Sequence, residues 1–184
     1  MHINYPEIGV CGLSCRLCPN YHTEGKSTCG GCKSEYRMGA GCPFITCAVK
    51  KKGIEFCWEC ADSSSCEKWR RHRDLGLDHD SFVCYQKLEE NIAFIQDYGI
   101  DAFVEIQQMR ERWLTEVLGE FNEGRSKRYY CVAATVLEIA ELEMALMRAR
   151  EDSVGLSVKD KSKVLHAILD GIAEKQHYCL SLRK

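Results

Sequence analysis

The sequence predicts a small cysteine-rich module with little regular structure over residues 1–70, followed by a mainly α-helical domain over residues 71–184. Three observations carry that reading. Ten of the 13 cysteines lie between Cys11 and Cys66, in a stretch rich in glycine and turn residues and poor in apolar runs. Beyond it, apolar residues recur at the three-to-four-residue spacing of amphipathic helices. The odd cysteine total, with no basic-then-apolar leader in MHINYPEIGV, argues against a disulfide framework and for reduced thiols in the cytoplasm.

The first part needs a staple, because a segment so poor in apolar residues buries too little surface, and metal ligation supplies folding free energy directly. Four thiol groupings are available: Cys11, Cys15 and Cys18; Cys29 and Cys32; Cys42 and Cys47; and Cys57, Cys60 and Cys66. A CxxC pair lets two thiolates reach one ion, at about 2.3 Å for zinc. Two such pairs, Cys15/Cys18 and Cys29/Cys32, supply the four soft ligands of one tetrahedral site, and Gly30 and Gly31 let the backbone turn its amides toward sulfur. Five thiols compete for a second site. Cys57 and Cys60 form its reliable half, Cys47 and Cys66 complete it, and Cys42 is the preferred spare, although sharing between the two sites stays open. Cys11 is an alternate ligand, a packed thiol or a reactive one. His22 and His72 could each replace a thiolate, but read better as surface histidines.

The helical elements follow in order. Around Trp69-Arg70-Arg71-His72-Arg73 the pattern suits a surface helix with Trp69 turned inward. Leu88, Ile92 and Ile95 put one apolar stripe on a helix over about 83–98, ended by Gly99. Asp101 is the expected N-cap of a helix over 101–118, with Ile106, Met109, Trp113 and Val117 on its buried face and Gly119 as its stop. Leu142, Ala145, Leu146 and Ala149 define a helix over 136–150. Ser157 and Asp160 make a capping-box-like start for the last, 158–174, with Val164, Leu165, Ile168, Leu169 and Ile172 inward. Tyr129–Leu137 fits either a strand or a buried helix, and the closing HYCLSLRK fits a short strand. The scattered Cys84, Cys131 and Cys179 read as small buried hydrophobes.

Composition narrows the function classes. Net charge is −2, and two ions each held by four thiolates would make it more negative, so a nucleic-acid partner is not expected. No stretch approaches the roughly 20 apolar residues that span a bilayer, so no membrane partner is expected either. Three basic clusters are candidate surfaces for phosphate or a partner. Lys50-Lys51-Lys52 reads as a solvated face, Arg70 and Arg71 as part of the surface helix, and Arg125, Lys127 and Arg128 as a loop leading into a helix near Ser126. No acid–base carboxylate pair, phosphate-cradling loop, nucleophile elbow or HExxH motif is present. The Cys11-x3-Cys15-x2-Cys18 spacing is that of radical enzymes using S-adenosylmethionine, but those need a large α/β barrel, and no strand–helix alternation follows here.

The runs CGLSCRLCPNY at 11–21, CGGCKS at 29–34 and CPFITCAVKKKGIEFCWECADSSSCEKW at 42–69 resemble the cysteine-rich prokaryotic domain-of-unknown-function family numbered 3795. The resemblance extends over about 9–115, with EFNEGRSKRYYCVAATVLEIAELEMAL as part of a helical carboxy-terminal extension. It departs at ADSSSC, 61–66, where an aromatic–proline pair is expected before the last cysteine. It implies a cysteine-rich zinc-binding module with no settled activity. The reading that results is a cytoplasmic protein with about two structural Zn2+ ions, bound as a small zinc-binding module, that acts as an adaptor for a protein partner. An iron–sulfur or thiol-redox protein is the alternative.

Overall fold

The computed structural model describes residues 2–25, 28–39, 41–78 and 87–181, with the backbone alone described at Tyr36 and over 75–78. Among the described residues there are eight α-helices: α1 (Glu35–Gly39), α2 (Pro43–Ile45), α3 (Glu67–Asp78), α4 (Leu88–Tyr98), α5 (Ile100–Glu120), α6 (Lys127–Val136), α7 (Ile139–Asp152) and α8 (Val158–Lys175). No strand forms among the described residues; one antiparallel bridge joins Ile8 and Ser14. The cysteine-rich stretch is otherwise turns, short helices and a π-helical turn over Thr46–Lys52. Among the described residues no helix is long and apolar enough to cross a membrane.

Helices α5 to α8 enclose the main core, which is built on α6. Every residue from Tyr130 to Val136 is buried, so this helix is covered on all sides beyond its first turn. That settles the ambiguous Tyr129–Leu137 segment as helix and buries Cys131. Trp113 of α5 donates its indole N–H to the Leu142 carbonyl at 2.7 Å, tying α5 to the start of α7. Leu142, Ala145, Leu146 and Ala149 line the inner face of α7, while Leu165, Leu169 and Ala173 are the buried residues of α8's inner face.

Several expectations are corrected. α5 starts at Ile100, capped by Gly99 rather than Asp101, because α4 and α5 adjoin through that one residue at φ +88°. Asp101 instead accepts the Tyr5 hydroxyl at 3.0 Å. α5 runs through Gly119 to Glu120, its last turn held by Arg150 of α7 bonding Glu116 and Glu120. Met109 is exposed, because the buried face of α5 is centred on Phe103, Gln107, Arg110, Leu114 and Val117. The tail after α8 is irregular as far as Ser181. Leu180 enters the core and Cys179 faces solvent. Cys84 and the expected start of α4 at 83 lie outside the described residues.

The α8 start matches expectation: the Ser157 hydroxyl accepts the Asp160 N–H at 3.3 Å. Ser157→Ala is therefore expected to cost about 1 kcal/mol in urea unfolding, with Ser157→Asp close to the parent. Equal midpoints for all three would remove the cap from the account of α8.

Three smaller cores seat the amino-terminal stretch. Ile8 and Phe56 pack with Ile95 and Phe103; Val10 packs with Ile45, Ala48 and Val49; and Leu13 packs with Trp69, Leu88 and Ile92. Trp69 is thus turned inward, as expected of α3. One residue crosses to the main core. Leu17, 1% exposed, packs with the α5–α8 cluster.

Candidate metal centre

Two CxxC pairs fold as the same turn. Cys15–Leu17 is a 3-10 turn closed by the Cys18 N–H on the Cys15 carbonyl at 3.0 Å. Cys57–Glu59 repeats it, with the Cys60 N–H on the Cys57 carbonyl at 3.3 Å. The first turn sends its side chains in different directions. Leu17 enters the main core, and Arg16 bonds Glu111 of α5 at 2.5 Å. The sulfurs of Cys15 and Cys18 lie on the side of Cys32.

Backbone amides reach those sulfurs. The Cys15 Sγ accepts the Cys32 N–H at 3.2 Å, and the Cys18 thiol is approached by the N–H groups of Asn20 and Tyr21. The Cys29/Cys32 pair turns through Gly31 at φ +98°, where a Cβ would stand 2.8 Å from the Pro6 carbonyl oxygen. No other residue type fits that approach. Hydrogen bonding to Cys15, ahead of the fields of Arg37 and Lys33, holds the Cys32 thiol down at about 7, against the rise that burial alone would give. Its partner Cys15 is pushed up by that same bond, burial and the proximity of Cys32. Cys18, raised chiefly by burial, also feels Cys32 and Cys29.

The second group centres on Cys57. Burial pushes its thiol up to about 12, and Cys47, Cys66, Cys60 and Cys42 add to the rise in that order. Cys60 goes the other way. Its sulfur accepts Lys52 Nζ at 3.0 Å and the Asp62 amide, which lowers it. Cys11 stands between the groups, within the electrostatic reach of Cys32 and Cys57, and burial raises it to about 12, the state of a packed and unreactive thiol.

An ion pair that the sequence did not announce lies beside both groups. Lys33, next to Cys32, meets Glu55, two residues before Cys57, at 2.9 Å. The Lys33 side chain is 0% exposed and that of Glu55 7%. Lys33 also lies over the Phe56 ring at 3.9 Å and donates to the Tyr5 carbonyl, while Glu55 accepts the Asn4 and Tyr5 N–H groups.

Among the described residues, no three thiol, imidazole or carboxylate groups are arranged closely enough to hold an ion. The fit to a metal lies in the donor chemistry instead. Thiols of like charge when ionised are gathered in two neighbourhoods, with N–H groups at several sulfurs, and a divalent cation would reverse the repulsion that raises Cys57.

The other candidates are engaged elsewhere. Arg70 pairs with Asp74 and Arg71 with Glu67 along α3, at exposed positions where such pairs contribute little. Lys127 donates to the His22 carbonyl and the Thr23 hydroxyl, pinning the loop after Cys18. Arg125 and Arg128 are exposed at the entry to α6. His22 Nε2 faces the Arg16 carbonyl at 2.5 Å. His72 is half-buried between Phe44 and Trp69 instead of lying free on the surface, because α3 turns that face inward with Trp69.

The fold and the thiol groups together define a cysteine-rich segment seated on a helical bundle. Residues 7–71 match the family described as "Protein of unknown function (DUF3795)". The match ends short of residue 115, and the bundle α5–α8 lies beyond it. No curated protein and no solved structure matches the chain.

Proposed function

We propose that residues 11–66 form a zinc-binding module with two four-thiolate sites, Cys15, Cys18, Cys29 and Cys32 in one and Cys47, Cys57, Cys60 and Cys66 in the other. The sites are structural, and the protein acts in the cytoplasm as an adaptor for another protein. The observation that carries the reading is the repeated CxxC turn, Cys15–Cys18 and Cys57–Cys60, each closed by the second cysteine's N–H on the first's carbonyl. The paired CxxC turns support closed tetrahedral sites with no vacancy for chemistry. In this reading residues 1–70 are the metal module and residues 71–184 its helical platform.

Elemental analysis of anaerobically purified protein, with its absorption spectrum, tests this directly. About two zinc per chain and no visible absorption are expected. Cys18→Ser and Cys32→Ser should each lose one equivalent, and Cys131→Ser none. Equal losses from all three would defeat the ligand assignment.

A thiol-redox reading has one observation of its own, the lowered Cys32 thiol hydrogen-bonded to Cys15. It expects rapid, selective alkylation of Cys32 in the metal-loaded protein, where the zinc reading expects protection. Iron with sulfide and a brown colour would instead favour a cluster.

A further inference from the structure

Apart from the thiol groups, one cavity holds polar groups that the fold leaves without partners. It opens between the turn at Ser14 and helices α4, α5 and α6, with a volume of about 340 Å³. That is at the small end of the roughly 300–1,000 Å³ of small-molecule sites. Its inner end is polar. Arg110 is 8% exposed, and its Nη1 donates to the carbonyls of Ala134 at 2.8 Å and Leu137 at 2.5 Å, at the end of α6. These two bonds fix the plane of the guanidinium. Arg110 forms no ion pair among the described residues, although Glu138 in the same lining is the charge that acts on it most strongly.

One turn earlier on the same face, the Gln107 amide is 5% exposed and makes no hydrogen bond among the described residues. Ser14, also lining the cavity, has a buried hydroxyl with no partner. Buried charges in proteins are ordinarily paired, and buried polar groups bonded. Here a guanidinium bonded through one nitrogen alone, an amide and an unpartnered hydroxyl share one cavity. The second cation, Lys87, is already neutralised by Glu90 at 2.5 Å. The rest of the wall is mixed: Phe94, Phe103 and Ile106 form its apolar part, and Glu138, Asn91 and Thr135 its polar part.

We propose that this cavity binds a small organic carboxylate with an apolar body, its carboxylate on Arg110 and Gln107 and its body against Phe94, Phe103 and Ile106. A planar guanidinium with one edge held by carbonyls offers the other to a planar anion of matching geometry. With Lys87 paired to Glu90 and Glu138 facing Arg110 across the lining, the free guanidinium edge suits at most one negative charge, and the apolar part of the wall would go unused by an inorganic anion. The proposal does not rest on the metal reading, since its recognition groups belong to α5.

The test is calorimetric titration of the full chain, metal-loaded as purified, with 3-phenylpropionate, 3-phenylpropionamide and inorganic phosphate. Saturable binding of the carboxylate is expected, with the amide at least about tenfold weaker and phosphate weaker still. Gln107→Leu, which keeps size and removes the donor, should weaken the carboxylate about tenfold. Ile106→Trp, which fills the cavity, should abolish binding while far-ultraviolet circular dichroism stays that of the parent. Amide or phosphate binding as tight as the carboxylate would overturn the assignment. So would carboxylate binding unchanged in both variants, or none at millimolar concentration, which would leave water as the occupant of the polar end.

Discussion

If the thiols hold zinc as proposed, a chelator at neutral pH is expected to unfold the cysteine-rich stretch together with α3 and α4, and to leave α5–α8 helical. The stretch has no large core of its own. Its buried residues divide among three small clusters, two of which are completed by α4. Structural zinc contributes on the order of 10–16 kcal/mol in small modules, far more than such clusters provide. The main core of α5–α8 is continuous and, apart from Leu17, independent of residues before α5. Limited proteolysis read by mass spectrometry should therefore show cleavage before residue 100 and protection from 100 to 175. Equal protection of the cysteine-rich stretch with and without chelator would sink the account.

Glu55→Gln is expected to destabilise the protein by about 3–5 kcal/mol, because it leaves the fully buried Lys33 ammonium without its counter-ion. The double change Lys33→Met with Glu55→Leu should recover most of that loss, since an apolar pair of similar volume needs no compensation. Urea unfolding of the three variants reads the difference. If Glu55→Gln alone lost less than about 1 kcal/mol, the pair would have to be as exposed as a surface salt bridge. The pH dependence has a definite sign. Burial pushes the Glu55 carboxyl up, but the Asn4 amide, Lys33 and the Tyr5 amide more than offset it and hold it below the ordinary carboxylate range. The stabilisation is therefore present above the unfolded carboxylate range and lost as the pH falls through the folded value. The double variant should lack that part of the acid sensitivity.

Much of the bundle was legible because burial there is one-sided. The stripes Leu142–Ala149 and Val164–Ile172 follow the helical period, and the Ser157 cap is local chemistry. α6 was ambiguous because its buried run of small and β-branched residues, Cys131 to Val136, suits a strand as readily as a buried helix. The inner face of α5 was misread at Met109 because a hydrophobic pattern discards polar residues, and the true face includes Arg110 and Gln107. Their burial is set by the carbonyl end of α6 and by the cavity, neither of which exists in the linear sequence. The grouping of thiols rested on CxxC spacing, a matter of a few residues of chain. Lys33 and Glu55 are 22 residues apart, and their meeting depends on how the turns between them fold.

Leu17 lies inside the first CxxC turn, between two thiols, yet is buried in the bundle's core. A side chain that belongs to two folding units makes them share one equilibrium. If the first thiolate set is filled, Leu17 is held at the depth the bundle needs; if it empties, the bundle must either lose that contact or hold the turn in place itself. By linkage the coupling runs both ways with equal strength, so whatever tightens the bundle also raises the affinity of the thiols for their ion. Leu17→Ala should therefore weaken metal retention even though it removes no ligand, and the protein would register the state of its helices as a metal affinity.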